Sequence, residues 1–99
     1  MITIHDWSRE VVLGGWAWVT FSLPNTLLRP VVMLRFDLIG DGFEGYEITA
    51  RDGEDLAGVT GMRVRTRLAG TFSAHVAARD SVGCFDESRL TRPVLVHAQ

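Results

Sequence analysis

The chain has 99 residues, of which 46% are hydrophobic, and a formal net charge of −2. This is the length of one domain, 1–99, with enough apolar content for a core, which excludes a disordered chain. The slightly acidic balance excludes a general nucleic-acid binder, because phosphate contacts call for a cationic surface.

Period-2 alternation dominates from the first residues, and helical spacing is nearly absent. "MITIH" reads as a short opening strand and "REVVL" as a second, separated by "DWS". "GWAWVTFSL", Gly15 to Leu23, is a third and ends at "PNT". "PVVMLRFDL", Pro30 to Leu38, stops at the turn cluster "IGDG", and "FEGYEITA", Phe43 to Ala50, stops at "RDGED". "EDLAGV" is the one stretch suited to a helical turn. "GMRVRTRL", Gly61 to Leu68, leads through "AG" into "TFSAHVAARDSVGC", and "LTRPVLVHA", Leu90 to Ala98, closes the chain, with Pro93 suited to an edge strand. About seven short strands divided by Gly, Asp and Pro turns describe an all-β sandwich or barrel.

"LAGTFSAHVAARDSVGC" resembles the E–F corner and F strand of immunoglobulin-like and PKD-like sandwich domains, which often read as an aliphatic residue, Gly-Thr-aromatic, alternating β-branched residues, then Asp-Ser-x-Gly. "RFDLIGDG", Arg35 to Gly42, is similar to the Trp-Asp-Phe-Gly-Asp-Gly segment of PKD domains, without its Trp and with different spacing. Phe72 stands where such domains often place Tyr, and the Cys…Trp…Cys framework of antibody domains is absent. The resemblance implies an immunoglobulin-like antiparallel β-sandwich of about seven strands. It leaves function open, since the fold hosts many roles.

The alternation also sorts the faces. Phe72, Ala74, Val76 and Ala78 form a core face, with Ser73, His75 and Arg79 opposite. Met62, Val64, Thr66 and Leu68 point inward, and Arg63, Arg65 and Arg67 outward. Ala17, Val19, Phe21 and Leu23 make the more apolar face of their strand, which turns Trp16 and Trp18 out. Under the resemblance these last two segments are strands B and E, neighbours in the sheet holding A, B, E and D, so Trp16 and Trp18 would lie beside Arg63, Arg65 and Arg67. Two indoles present roughly 300–500 Å² of apolar surface, the size of a functional patch, and Trp and Arg are enriched at binding hot spots. Three arrangements stay open: an interface, Arg side chains stacked over the indoles, or a strand with its faces swapped and both Trp buried.

Catalytic chemistry finds little foothold. Ser73, His75 and Asp80 lie too close along one strand to converge as a triad, and "LGGW" and "IGDG" match neither phosphate-binding glycine pattern. Cys84, the single cysteine, excludes an intrachain disulfide and sits among acidic residues that disfavour its thiolate. His5, His75 and His97 lack zinc-ligand spacing, although His75 and His97 could approach on adjacent strands. The acidic loops Asp37/Asp41/Glu44, Asp52/Glu54/Asp55 and Asp80/Asp86/Glu87 are the one alternative to an absence of cofactors, as oxygen-rich turns that can hold Ca²⁺.

The expected function is therefore non-enzymatic: a structural or docking subunit of a larger assembly, binding protein partners or further copies of itself through the Trp/Arg face. Phage and phage-like virions use small sandwich proteins of this kind as capsid decoration, neck or tail components, a setting the resemblance implies. The alternative is a carbohydrate-binding or adhesion module with Trp16 and Trp18 as a stacking platform. "MITIHDWSREVV" has no secretory-signal pattern and no apolar run approaches the ~18 residues of a membrane span. Synthesis in the cytoplasm, without membrane contact, is the corresponding expectation.

Overall fold

The computed structural model describes all 99 residues. Nine strands form two sheets: β1 (Thr3–Trp7), β2 (Glu10–Val12), β3 (Trp16–Ser22), β4 (Val31–Gly40), β5 (Phe43–Thr49), β6 (Gly61–Arg65), β7 (Gly70–Asp80), β8 (Phe85–Glu87) and β9 (Pro93–His97). One sheet has the order β1-β3-β6. The other runs β2-β9-β7-β4-β5, with β8 also paired to β7. The only helical element is a 3-10 turn at Leu56–Gly58, so no helix is long and apolar enough to cross a membrane. Asp55 caps that turn, its carboxylate accepting the Ala57 amide.

The core follows the alternation. Ala17, Val19 and Phe21 of β3 face Phe72, Ala74, Val76 and Ala78 of β7 and Leu34, Phe36 and Leu38 of β4, all at 1% exposure or less. β4 has neighbours on both edges, β5 and β7; its inward Leu34, Phe36 and Leu38 belong to the core, and the outward Asp37 is also buried. The faces of β3 are not swapped.

Several expectations are corrected. The two opening strands divide between the sheets, β1 pairing β3 and β2 pairing β9 in parallel, so the arrangement is not wholly antiparallel. β9 lies between β2 and β7 instead of at an edge. Pro93 is tolerated there because β2 reaches only Leu95 to His97, leaving the Pro93 side uncovered. β6 stops at Arg65; Thr66 is buried and its hydroxyl donates to the Gly15 carbonyl at 3.1 Å, while Leu68 is exposed. The three-stranded sheet has no fourth strand: the segment between β5 and β6 forms only the 3-10 turn and loops.

β8 lay outside every strand expected from the sequence. β9 pairs the first half of β7 and β8 the second, so they share one edge end to end. Between them the ladder is completed by hydroxyls: Thr91 Oγ1 accepts the Ala74 amide and Ser88 Oγ the Val76 amide, each at 2.9 Å.

A buried carboxylate fastens the end of β7 to the β3–β4 connection. Asp80 is 1% exposed. It accepts the Leu28 amide at 2.9 Å on one oxygen and the Val82 and Cys84 amides at 3.1 and 2.9 Å on the other. Burial raises its pKa, and the three amide bonds outweigh this and leave it below the usual carboxylate range. Asp55 is lowered as well, by the Val31 and Ala57 amides first and by Arg29 after them. Both groups have folded pKa values below their unfolded ones. Their stabilisation is therefore complete above an unfolded value of about 3.9 and is withdrawn as pH falls below it. Melting followed from pH 7 to pH 2 should show a plateau and then a decline beginning near pH 4, with a smaller decline in Asp80→Asn. An equal acid response in that variant would remove Asp80 from the explanation.

Candidate functional site

The outer face of the three-stranded sheet is built by register. Trp16 lies opposite Arg65 and Trp18 opposite Arg63 across the β3–β6 ladder. Side chains of an opposed pair share a face, so the two indoles and two guanidiniums are on one surface. Trp16 is 42% exposed and Trp18 39%. Both are anchored by the buried side of the same strand, which cannot turn without exposing Phe21.

The two arginines treat the indoles differently. The Arg63 guanidinium sits 4.3 Å from the Trp16 ring centre and that of Arg65 4.6 Å. Arg63 therefore reaches diagonally past its direct partner, and both cations stack on Trp16. Trp18 receives no cation, and at 39% exposure it is about as accessible as the stacked Trp16 at 42%. Its backbone is held by Ser8, whose Oγ accepts the Trp18 amide at 3.1 Å. Neither Arg63, Arg65 nor Arg67 has a carboxylate within ion-pair distance, whereas Arg9, Arg29 and Arg35 do.

Arg67 is not part of this row. It follows β6, on the loop to β7, and its amide donates to Glu44 Oε1 at 2.6 Å. There it helps line a groove of about 770 Å³ between the free edges of β5 and β6, together with Tyr46, Ile48, Trp16, Arg63 and Arg65. The other Glu44 oxygen is buried without a donor.

The histidines and acidic loops do not converge. His75 and His97 are on adjacent strands, but His97 lies beyond the Gly70–Val96 pair while His75 lies beyond the Ser73–Pro93 pair at the other end. No group of three or more His, Cys, Asp or Glu side chains is arranged to hold a metal ion. Several acidic side chains instead accept backbone amides: Asp41 from Thr71, Glu54 from Arg51 and Asp55 from Val31.

Two arrangements escaped the sequence reading. Across the outer face of the larger sheet, Glu47, Arg35, Asp37, His75 and Glu87 form one continuous row of polar side chains. Arg35 lies 2.8 Å from Asp37 and 3.4 Å from Glu47, and His75 3.8 Å from Asp37 and 3.4 Å from Glu87. These residues are up to 52 positions apart in sequence, and only the pairing of four strands assembles them. Arg9 also stacks over Trp7 at 3.5 Å, an i, i+2 pair whose recognition would have required knowing that β1 ends there.

No protein-family model, no curated protein and no solved structure matches the chain.

Proposed function

We propose that the chain is a non-enzymatic docking module of immunoglobulin-like type, and that it works as a small subunit of a larger assembly. The observation that carries this reading is the surface of the β1-β3-β6 sheet, where two partly exposed indoles, Trp16 and Trp18, lie beside Arg63 and Arg65, cations that stack on Trp16 and have no carboxylate partner. Such a surface joins apolar area to charge that remains available for a partner. The immunoglobulin-like assignment is supported by the strand order and by an opening segment divided between the two sheets. A phage-like virion is the setting that the resemblance of the β7 segment implies. The partly exposed Trp18, with no cation stacked on it, also favours a second reading, a platform on which a sugar ring stacks.

Trp18→Ala is expected to reduce retention on the native assembly about tenfold or more, as for an interface hot spot, while stability changes by less than about 1 kcal/mol. Retention by pull-down and melting by circular dichroism measure the two effects. The docking reading fails if Trp16→Ala and Trp18→Ala both fold and both keep full retention. Glycan binding by the wild type that disappears in Trp18→Ala would select the second reading.

A further inference from the structure

We infer that the groove between β5 and β6 is a slot for one added β-strand, and that its occupant is an extended partner segment in which acidic and apolar residues alternate. The inference rests on the docking reading above but uses a sheet edge in place of the sheet face. The ladder to β3 fixes which way the β6 backbone points. The Phe21 amide donates to Thr60 and the Thr66 amide to Gly15, so Met62 and Val64 are the residues that bond β3. Gly61, Arg63 and Arg65 then direct their N–H and C=O groups the other way, into the groove, where they make no backbone bond. β5 is likewise paired on one side only.

The larger sheet overhangs this edge. Ile48 and Tyr46 lie opposite Leu34 and Phe36, so they face the side on which the smaller sheet packs, yet Tyr46 is 51% exposed because no strand follows β6 to cover it. A segment added to β6 would continue the smaller sheet over Tyr46 and Ile48. Its inward side chains would meet those two residues, which calls for apolar groups. Its outward side chains would stand across from Arg63 and Arg65, guanidiniums without carboxylate partners, which calls for Asp or Glu. Arg67, at the groove's end, adds a third unpaired cation.

The test uses the full chain and two fluorescein-labelled heptapeptides, one alternating Glu and Val and the other Lys and Val. By fluorescence anisotropy the Glu peptide should bind saturably and at least about tenfold more tightly than the Lys peptide. Arg63→Pro removes an outward amide while leaving the β3 bonds in place, and should weaken binding about tenfold further than Arg63→Ala. Should Arg63→Pro not fold, hydrogen exchange on the wild type decides: bound Glu peptide should slow the Arg63 and Arg65 amides. Absence of saturable binding, equal binding of both peptides, or unslowed Arg63 and Arg65 amides would overturn the slot. So would a dimer that buries β6 in the absence of peptide, since a second copy would then be the occupant. Loss of assembly retention in Trp18→Ala without any peptide binding overturns this inference alone. Peptide binding with retention unaffected by either Trp variant overturns only the sheet-face reading.

Discussion

Phe36→Ala should destabilise the protein by about 3–5 kcal/mol, the usual result of truncating a fully enclosed Phe. Phe36 is 0% exposed at the centre of β4, between Tyr46 of β5 and Val76 of β7, within the cluster that also holds Phe21 and Phe72. Neighbouring strands on both sides hold the backbone in place, so the site cannot collapse around the missing ring. A domain of this size has about 5–15 kcal/mol in total, so the variant is left with little margin. The melting temperature should fall by more than about 12 °C, at 4–8 °C per kcal/mol. Thermal unfolding followed by circular dichroism provides the check, and a loss below about 1 kcal/mol would mean that β4 is not the centre of the core.

Gly40→Ala should be nearly as damaging, for a different reason. Gly40 ends β4 opposite Phe72, and a Cβ placed there would meet the Thr71 carbonyl oxygen and lie 2.9 Å from the Phe72 Cα. These obstacles are backbone atoms, which no rotamer change can clear, so β4 and β7 must separate at that end. The same end carries the Asp41 amide bond to the Thr71 carbonyl and the Thr71 amide bond to Asp41 Oδ2. We expect a loss of about 3 kcal/mol, at the upper end of ordinary overpacking. Gly58→Ala is the internal control: nothing lies within 4 Å of its Cβ position, and its effect should stay within about 0.5 kcal/mol. Equal melting temperatures for the two variants would contradict the close approach at Gly40.

Alternation made β3 and β7 legible because each has one face that is uniformly apolar and one that is not. Their inward residues, from Ala17 to Phe21 and from Phe72 to Ala78, can be read off directly. β8 could not be read this way, since three residues carry no periodicity, whereas β2 is legible as a strand within "REVVL" and only its parallel pairing with β9, far along the chain, is not. Thr91 and Ser88 look like ordinary loop residues until their hydroxyls are seen to complete the β7 edge. Arg67 illustrates the same limit. Period two carried the outward row one residue too far, because nothing in "RTRL" shows that Thr66 leaves the strand to bond Gly15. The pairing of Trp16 with Arg65 follows from strand neighbours and register, whereas the choice of both cations for Trp16 follows from side-chain reach. The groove had no sequence signal, as it arises from one sheet overhanging the other.

The docking claim is tested most directly by sedimenting a native lysate and following the chain by antibody across the gradient. The chain should travel with a large particle and remain there after a high-salt wash, because apolar Trp contacts resist the screening that dissolves purely ionic ones. A chain that stays at the top of the gradient, as a free protein of 11.0 kDa, would contradict it.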